Sequence, residues 1–591
     1  KKCSNITKGC KTMVKQLSWK VGGQQGEGIE STGEIFAIAL NRLGYYLYGY
    51  RHFSSRIKGG HTNNKIRVST ENIQAISDDL DILVAFDQET IDFNFHELSD
   101  CGFVLADTKF NPSIPNDSSV TLFAVPFTDL ATEVGALVMK NMVAVGASSA
   151  LLGLDNSIFK EVITEIFSKK GQNIIDKNMQ AIQAGYDFVE EKLKDVSNIK
   201  RLEPADGNNR MFMIGNDAIA LGAVAAGCKF MAAYPITPAS EIMEYLIKKL
   251  PQFGGTVIQT EDEIAACTMA IGANYSGVRT ITASAGPGLS LMMEAIGLSG
   301  ITETPVVIVN TQRGGPSTGL PTKQEQSDLM AMIYGTHGEI PKVVIAPSNS
   351  EEAFYDTIEA FNIAEIYQCP VILLTDLQLS LGKQTVEKLD YNKISINRGK
   401  IIDEVTEENL SKGGYFKRYE VTPDGVSPRV FPGTKNGLHH VTGVEHDETG
   451  KPSENPTNRD EQMDKRLRKL NGLRITNAVI KDAPHQDADV LLVGFNSTYG
   501  VIKEARERLE ADGIKVNQAH LRQVHPFPTD EIDIMINKAK KVLVIENNAT
   551  GQLANIIKMN TGQNRKITSV LKYDGNPFIP KEIYNRCKGL L

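Results

Sequence analysis

The sequence predicts an α/β protein composed of three α/β domains, and two patterns support this prediction. Short apolar runs that are typical of buried strands alternate with amphipathic stretches of helical spacing, as in proteins with parallel sheets. A long polar stretch interrupts this alternation in the last third of the chain. We therefore expect α/β domains over residues 14–200, 201–391 and 471–591, with a polar linker or arm over residues 392–470.

Composition excludes several classes of protein. The 591 residues are 41% hydrophobic and 23% charged, as in an ordinary globular protein. A formal net charge of -8 disfavours nucleic acid as a partner. No apolar run reaches the about 20 residues that span a membrane, and the N-terminus lacks a signal core, so we expect a cytoplasmic protein. The seven cysteines form no C-x-x-C pair, which predicts reduced thiols and no metal or iron–sulfur site held by this chain alone.

The first domain, residues 14–200, begins with a predicted strand at LSWKVGG, then a glycine-rich turn and an amphipathic helix. Thr32, Ile35, Phe36 and Ala39 lie on one face of that helix. Further strands are expected over residues 81–86, 101–107 and 120–125, and helices over residues 129–154 and 156–193. Because strands alternate with helices, we expect a parallel sheet.

The second and third domains repeat this alternation. Residues 201–391 open with a strand at MFMIG, and six apolar runs bounded by turn residues then predict a doubly wound sheet. These six runs are KFMAAYP, TVIQT, RTITAS, PVVIVN, KVVIAP and PVILLTD. Residues 471–591 contain four further runs, DADVLLVGFNS, KVNQAHLR, KKVLVIENN and KITSVLKYD.

Residues 392–470 differ from the rest of the chain. They are rich in glycine, proline, asparagine and charge. A loop of this length is uncommon inside a compact domain and is often functional. Two interpretations remain open: a solvated linker, or an arm that covers a partner or an active site.

The string Tyr234-Pro235-Ile236-Thr237-Pro238 follows a predicted strand, where open α/β sheets bind ligands. Its two prolines make a rigid loop that can hold the Thr237 hydroxyl in one place. The alternative is structural, because Thr237 could cap a helix that has Pro238 at its first position.

An acidic string, Thr260-Glu261-Asp262-Glu263, opens the predicted helix IAACTMAIGANYSG. Acids in the first turn are favoured by the helix dipole, so simple capping is one interpretation. A carboxyl group among such small apolar residues would also suit proton exchange with a ring nitrogen.

A glycine-rich loop with one arginine, residues 311–323, follows the run PVVIVN. Arg313 with several neighbouring hydroxyls would make a good carboxylate site, since guanidinium binds carboxylate through two parallel hydrogen bonds. An ordinary surface loop is the alternative. The string Ser284-Ala285-Gly286-Pro287-Gly288 ends another predicted strand, and we expect it to line the same cleft.

Several of these motifs occur together in one enzyme family. YPITP, EDEIAA, SAGPG and QRGGPSTGLPT resemble the α subunit of 2-oxoacid:ferredoxin oxidoreductases, and GGQQGEG, RHFSSRIKGGHTN and KNMVAVGASSALLGL resemble its γ component. The chain is similar to a fused γ–α subunit over nearly everything after Ser18. The resemblance implies a γ-type, CoA-associated domain over residues 14–200, a domain binding the pyrimidine half of thiamine diphosphate over 201–391, and a transketolase C-terminal-like domain over 471–591.

The resemblance also implies roles for individual residues. Thr237 would hydrogen-bond the 2-oxoacid, and Arg313 would pair with its carboxylate, with help from Thr322. Glu263 would activate the aminopyrimidine of thiamine diphosphate; it fits the family pattern better than Glu261 because it lies nine residues before Gly272. Tyr234, Pro235 and Ile236 would belong to the cofactor site.

Residues expected to bind CoA are less sharply defined. The turn Gly22–Gly28 is not G-x-G-x-x-G and no acidic residue ends the next strand, so NAD binding is poorly supported. The candidates for CoA are Gly23, Gly26 and Gly28 in this turn, Arg56 with Lys58 and Gly59 facing the phosphates, and Asn496 at a strand end in the third domain. The alternative is that the glycines serve only a tight turn.

A diphosphate site is missing from the sequence. Thiamine enzymes hold the diphosphate and magnesium with a GDG motif, and the nearest strings here are ADG at 205–207, PDG at 423–425 and ADG at 511–513. The resemblance therefore implies a β subunit that holds magnesium and a [4Fe-4S] cluster and shares the thiamine diphosphate, in an α2β2 assembly that reduces ferredoxin.

The resemblance implies CoA-dependent oxidative decarboxylation of a 2-oxoacid, with 2-oxoglutarate converted to succinyl-CoA; pyruvate or a broad specificity is the alternative. Lys323 and His337 are candidates for a second carboxylate, unless the β subunit supplies that cation. A non-catalytic nucleotide- or CoA-binding module and an NAD-linked dehydrogenase are the rival functions. The joint presence of Thr237, Glu263 and Arg313 favours the enzyme.

Overall fold

The computed structural model describes residues 11–54, 59–194, 196 and 199–591. The chain forms two compact units. The first contains the chain up to Met213 with the short segments Gly382–Lys388 and Ile579–Lys581; the second contains Ile214–Leu381, Leu389–Phe578 and Glu582–Leu591.

The strands, in chain order, are β1 (Lys11–Val14), β2 (Gln16–Gln24), β3 (Tyr46–His52), β4 (His61–Ser69), β5 (Leu80–Ala85), β6 (Leu98–Asp107), β7 (Thr121–Val125), β8 (Ile199–Leu202), β9 (Met211–Met213), β10 (Phe230–Ala233), β11 (Thr256–Gln259), β12 (Thr280–Ser284), β13 (Val306–Gln312), β14 (Val343–Ile345), β15 (Pro370–Asp376), β16 (Gln384–Val386), β17 (Val479–Asp482), β18 (Ala488–Phe495), β19 (Val516–Leu521), β20 (Gln523–His525), β21 (Ala539–Glu546) and β22 (Ile567–Leu571).

The α-helices, in chain order, are α1 (Ile29–Arg42), α2 (Gln88–Asn94), α3 (Phe127–Val134), α4 (Lys140–Leu152), α5 (Phe159–Phe167), α6 (Gln172–Leu193), α7 (Gly215–Ala225), α8 (Ser240–Lys249), α9 (Glu263–Tyr275), α10 (Gly286–Ile301), α11 (Leu329–Tyr334), α12 (Ser350–Tyr367), α13 (Leu377–Leu381), α14 (Pro456–Arg468), α15 (Thr498–Ala511), α16 (Thr529–Asn537), α17 (Gln552–Thr561) and α18 (Pro580–Leu590).

The first unit contains an eight-stranded sheet in the order β7-β6-β5-β2-β4-β3-β16-β9. Helix α1 packs on it through the predicted apolar face, and the rings of Trp19 and Phe36 stack at 4.5 Å. The expectation of a purely parallel sheet is wrong, because β4 runs antiparallel to both β2 and β3. The sequence did not predict β4 because this buried strand is polar. Its Lys65, for example, is buried, and the Lys65 Nζ pairs with Glu97 Oε2 at 3.1 Å.

Two strands of this sheet come from residues that the sequence assigned to the second domain. β9 contains the predicted opening strand MFM, and β16 lies just after the last predicted strand of that domain. Both join the first sheet, because β16 pairs antiparallel with β3 on one side and with β9 on the other.

The second unit contains the doubly wound sheet that the apolar runs predict, and all six predicted strands are present as β10 to β15. Their order is β11-β10-β12-β13-β15-β14, with β20 antiparallel at the end. Small residues let the helices approach closely. At Gly222 in α7, a Cβ would lie 2.5 Å from the backbone oxygen of Phe354 in α12.

The same unit contains a five-stranded sheet in the order β17-β19-β18-β21-β22. The four predicted strands of the third domain are β18, β19, β21 and β22, and they pair in parallel. The strand β17 is antiparallel to β19 at one edge. The predicted fold class, with three α/β regions, is confirmed, although β9, β16 and β20 each join the main sheet of a neighbouring region.

Residues 392–470, called the arm below, belong to the second unit and pack against its doubly wound domain. Lys465 and Lys469 are fully buried, and their Nζ atoms pair with the carboxylate of Glu303 at 2.6 and 2.8 Å. Buried lysines that share a buried carboxylate are incompatible with a solvated linker, so that interpretation is wrong; that the arm covers a partner or an active site stays a prediction.

Four of the cysteines, Cys228, Cys267, Cys369 and Cys587, are free and buried. Burial raises the pKa of each thiol to about 12, as for inert structural thiols. Cys101 is instead disulfide-bonded, which corrects the expectation of reduced thiols at that position. Within the described ranges, no helix is both long enough and apolar enough to cross a bilayer.

Candidate active site

Four neighbouring strands end at one edge of the doubly wound sheet. Their order is β11, β10, β12 and β13, and all are parallel. Glu263 follows β11, Thr237 follows β10, Ser284 ends β12, and Arg313 follows β13. Because carboxyl ends of parallel strands meet at one edge, the structure brings the three predicted catalytic residues to the place where such sheets bind ligands.

The start of helix α9 shows which acid caps the helix and which acid is buried. Asp262 is the N-cap, and its Oδ1 accepts a hydrogen bond from the backbone N–H of Ala265 at 2.7 Å. Glu263, the first helical residue, is only 7% exposed, whereas Glu261 is exposed. Simple capping therefore explains Asp262 and leaves the Glu263 carboxyl for another purpose.

The carboxyl of Glu263 faces the glycine-rich start of α10. A Cβ at Gly288 would lie 2.0 Å from Ser284 Oγ and 2.7 Å from Glu263 Oε1. Ser284 Oγ is buried and has no hydrogen-bond partner within the described part of the chain. Only glycine at position 288 therefore lets α10 lie this close to the buried carboxyl and the unsatisfied hydroxyl.

The loop that carries Thr237 does not cap a helix. Helix α8 begins at Ser240, with Ala239 at the N-cap and no side-chain cap hydrogen bond, so the capping interpretation of Thr237 is wrong. The loop is fixed instead by Asn216, whose Nδ2 donates to the backbone oxygen of Pro238 at 2.6 Å. Thr237 itself is half-buried at the strand end.

Arg313 is buried beside this loop. Its Nη1 donates to the backbone oxygen of Thr237 at 2.6 Å, which ties β13 to the end of β10. The other edge of the guanidinium is little used: Nε lacks an acceptor among the described residues, and Nη2 has only a 3.5 Å contact with Thr318 O. That edge, Nε with Nη2, is the one that binds a carboxylate through two parallel hydrogen bonds.

Asp328 is a site residue that sequence analysis missed. Its Oδ2 accepts a hydrogen bond from Asn310 Nδ2 at 3.1 Å. Burial raises the pKa of this carboxyl to about 6, while Asn310 and the charge of Arg313 oppose the rise. At Gly286, a Cβ would lie 2.8 Å from both carboxylate oxygens, so Asp328 lies against the SAGPG loop. In the sequence it reads only as a cap before α11.

The distal half of the arginine loop is held by the C-terminal region. Thr322 is buried, and the backbone N–H of Gln324 donates to Gly575 O at 3.1 Å. Gln326 donates its backbone N–H to Asn547 O at 2.7 Å, and its Oε1 accepts from Asn547 N at 2.9 Å. The third sheet therefore helps to position the loop that carries Arg313 and Thr322.

Asn496 is fully buried directly after β18. Its Nδ2 donates to Leu374 O at 2.7 Å and to Pro347 O at 3.1 Å. A contact with CoA would require these bonds to be replaced, and this role of Asn496 stays a prediction. Of the two candidates for a second carboxylate, His337 is exposed and Lys323 is half-buried, with its pKa lowered by burial.

The glycine-rich turn of the first unit borders a cavity of about 310 Å³. Its lining is part polar and part apolar and comprises Gln25, Gly26, Gly28, Ile29, Glu30, Arg51, Phe53, Thr62, Asn63 and Asn64. Arg51 pairs with Glu30 at 2.7 Å. Arg56 and Lys58 lie outside the described residues, and their predicted role stays a prediction.

The three glycines proposed for CoA have local structural reasons as well. Gly26 and Gly28 adopt φ values of 102° and 79°, which favour glycine. A Cβ at Gly28 would lie 2.1 Å from Asn141 Nδ2, and a Cβ at Gly23 would lie 2.8 Å from Ile29 Cδ1. The tight turn and the ligand site are thus compatible interpretations. Elsewhere in the described residues, no group of three or more His, Cys, Asp or Glu side chains could hold a metal ion.

Known families match three parts of the chain. Residues 18–188 match "Pyruvate ferredoxin/flavodoxin oxidoreductase", residues 221–465 match "Pyruvate flavodoxin/ferredoxin oxidoreductase, thiamine diP-bdg", and residues 488–583 match "Pyruvate:ferredoxin oxidoreductase core domain II". These segments correspond to the first unit, to the doubly wound sheet with the arm, and to the five-stranded sheet.

Full-length relatives extend this match. The chain is 34% identical to the 2-oxoacid:ferredoxin oxidoreductase subunit alpha of Sulfolobus sp, over 96% of both chains. It is 31% identical to the 2-oxoglutarate oxidoreductase subunit KorA of Mycobacterium tuberculosis, over 95% of this chain and 90% of that one. The solved structure of 2-oxoglutarate:ferredoxin oxidoreductase from Magnetococcus marinus, with 2-oxoglutarate, coenzyme A and succinyl-CoA bound, shares 36% identity and a TM-score of 0.90 over 98% of this chain and 99% of that one.

Three observations agree with one another. They are the sequence motifs, the grouping of Glu263, Thr237 and Arg313 at one sheet edge, and the relatives that match nearly the whole length of the chain. This chain therefore belongs to the 2-oxoacid:ferredoxin oxidoreductase family, as an alpha subunit of an oxidoreductase.

Proposed function

We propose that this chain is the substrate- and pyrimidine-binding subunit of an enzyme that joins the acyl part of a 2-oxoacid to CoA, releases carbon dioxide and passes the electron pair to ferredoxin. The preferred substrate is 2-oxoglutarate and the product succinyl-CoA, as in the Magnetococcus marinus structure. The observation that carries the proposal is the placement of Glu263, Thr237 and Arg313 at three of four neighbouring strand ends, with Ser284 at the fourth.

Glu263 is the residue proposed to meet the aminopyrimidine of thiamine diphosphate. When bound, that cofactor supplies the carbon nucleophile and the electron sink for decarboxylation. Glu263 holds and returns a proton at the ring nitrogen, and Ser284 offers a hydroxyl beside it. The buried position of Glu263 keeps water from competing for that proton.

Arg313 and Thr237 are proposed to hold the substrate. The Nε–Nη2 edge of Arg313 receives the carboxylate next to the keto group, and the bond from Nη1 to Thr237 O fixes the guanidinium while it does so. The Thr237 hydroxyl orients the substrate, with Thr322 nearby on the loop, and Tyr234, Pro235 and Ile236 complete the cofactor site. This geometry decides which substrate bond is aligned for cleavage.

A β subunit is proposed to complete the site with the diphosphate-binding residues, magnesium and a [4Fe-4S] cluster, in an α2β2 assembly. Helices α9 and α10 offer it an apolar surface that begins next to Glu263. Ile264, Met269 and Leu291 are 47%, 41% and 52% exposed there. Large apolar side chains exposed beside an incomplete site favour a partner surface.

The cavity at the glycine-rich turn is proposed to bind part of CoA. Gly23, Gly26 and Gly28 let the backbone approach the ligand, and the carboxamides of Asn63 and Gln25 keep buried oxygens without partners in the described ranges. A module that binds CoA without catalysis is the second candidate function. The grouped Glu263, Thr237 and Arg313 disfavour it, since CoA binding alone requires none of them.

Substrate preference can be measured with the assembled enzyme. We expect CoA-dependent reduction of a viologen dye with a higher kcat/KM for 2-oxoglutarate than for pyruvate. If Lys323 contacts the distal carboxylate, Lys323→Met lowers kcat/KM for 2-oxoglutarate alone, while the exposed control His337→Ala leaves both substrates unchanged. Equal turnover of both acids would indicate broad specificity, and turnover of neither would refute the proposed function.

A further inference from the structure

Two buried clusters beneath the arm contain more cationic side chains than carboxylates. Glu365 is buried and shared by three guanidinium groups: its oxygens lie 2.7 Å from Arg279 Nε, 2.7 Å from Arg398 Nη2 and 3.1 Å from Arg429 Nη2. Two of these arginines, Arg398 and Arg429, belong to the arm. Arg398 is partly exposed, but Arg279 and Arg429 are buried, and one negative charge cannot balance two buried positive charges.

A second buried carboxylate, that of Glu303, is also shared by more than one cationic side chain. It pairs with Lys465 and Lys469 of the arm, and all three side chains are fully buried. Arg418 of the arm is 2% exposed, and its Nη2 donates to the backbone oxygen of Glu303 at 2.7 Å instead of to a carboxylate. Counting both clusters, five cationic side chains pair with two carboxylates, and a sixth, Arg418, donates to a backbone oxygen.

The two clusters are joined near Ser427: Lys465, which pairs with Glu303, donates from Nζ to Ser427 Oγ at 3.0 Å, and Arg429 lies two residues further along the arm. Burial lowers the pKa of Arg429 to about 10, and the charge of Arg418 adds to this lowering, so the two guanidinium groups repel each other. Arg418 Nη1 and the Nε and Nη1 of Arg429 are shielded from solvent and have no acceptor among the residues described. Buried guanidinium N–H groups rarely stay unsatisfied, because the loss of hydration is costly.

We propose that Arg418 and Arg429 bind a small inorganic anion, chloride or an ion of similar size, in the interior beneath the arm. An anion accepts hydrogen bonds from the free Nη1 groups of both arginines and reduces the excess positive charge. A water molecule would satisfy the same N–H groups but would leave that charge uncompensated. The site has no part in the proposed reaction and is independent of the proposed function.

Anion binding would stabilise the closed position of the arm. Arg418 and Arg429 lie in different segments of the arm, and both are tied to the doubly wound domain through Glu303 O and Glu365. An ion that binds only the folded arrangement raises the stability of the fold in proportion to the logarithm of its concentration above Kd. Chloride should therefore act on this chain beyond its effect on ionic strength.

The first test is thermal unfolding of the full chain in chloride and in gluconate at the same ionic strength, with phosphate as a third salt. We expect Tm to rise saturably with chloride and to change little with gluconate; a rise with phosphate alone would assign the site to an oxyanion of larger size and overturn the halide. In Arg418→Gln the chloride-dependent rise should be lost. The control Arg459→Gln changes an exposed arginine of the arm and should retain it.

The second test does not depend on a variant that folds. Crystals of the unmodified protein soaked in bromide should show an anomalous peak between the guanidinium groups of Arg418 and Arg429. Density of water size at that position, without anomalous signal at high bromide, would overturn the proposal. The same conclusion would follow if Arg418→Gln kept the full response of Tm to chloride.

Discussion

Replacing Glu263 with Gln is expected to lower kcat of the assembled enzyme by about 10²–10⁴-fold, the usual contribution of a general acid–base group. Gln keeps the size and shape of the side chain in the narrow space beside Gly288, so the fold should be preserved. It cannot hold and return the proton at the ring nitrogen. Steady-state turnover, together with the thermal unfolding curve of the variant chain, measures both parts of this expectation.

The matched control is Glu261→Gln, two residues earlier. Glu261 is exposed and lies outside helix α9, so its replacement should leave kcat nearly unchanged. Near-normal turnover of Glu263→Gln, or a large loss in Glu261→Gln, would assign the proton transfer to another group. A lower kcat in Asp262→Asn would instead indicate a less stable helix α9, because Asp262 caps that helix.

Replacing Arg313 should give the second large effect. Arg313→Ala removes two charge-assisted hydrogen bonds to the substrate carboxylate, and we expect kcat/KM to fall on the order of 10²-fold or more. Arg313→Lys keeps the charge but loses the planar fork, and it also loses the bond that fixes the side chain to Thr237 O. We expect a smaller but clear loss there, with KM raised in both variants.

Two further variants make the Arg313 result specific. Thr237→Val removes the hydroxyl at similar size and should lower activity while thiamine diphosphate binding to the assembled enzyme survives. Ser317→Ala changes an exposed residue of the same loop and should have little effect. If Arg313→Ala kept the kcat and KM of the parent enzyme for every 2-oxoacid tried, the carboxylate site would have to lie elsewhere, for example on the β subunit.

The strands of the doubly wound sheet were predictable because helices cover both faces of the sheet. Every residue of β13 and of β15 is buried, and such strands read as continuous apolar runs. Strand β4 was not predictable in this way. It carries Asn63, Lys65 and Arg67 into the interior, and their partners come from distant segments such as Glu97.

The site was predictable in its residue types and less so in its geometry. Adjacent acids open α9, but only the hydrogen bond from Ala265 N shows that Asp262 is the cap and Glu263 is not. Asp328 reaches the site through Asn310 and Gly286, a contact that sequence spacing does not encode. Asn496 lies at a strand end, as the sequence indicated, but its burial could not be predicted, because a strand end can be covered by another part of the chain.

The arm illustrates the same limit. Its composition is that of a solvated segment, and its charges suggested exposure. The structure buries Lys465 and Lys469 against Glu303, a pairing across more than a hundred residues of sequence. Long-range charge pairing of this kind leaves no periodic signal in the sequence.

The central claim is that this chain carries half of an active site for 2-oxoacid decarboxylation. The most direct measurement is a titration of the isolated chain with its β subunit, in the presence of thiamine diphosphate, magnesium, CoA, 2-oxoglutarate and a viologen dye. We predict a colourless isolated chain that binds thiamine diphosphate weakly and gives no decarboxylation, and dye reduction that rises to a plateau at one β subunit per chain. A brown isolated chain that is active alone, or an assembled enzyme that reduces NAD instead of the dye, would contradict this account.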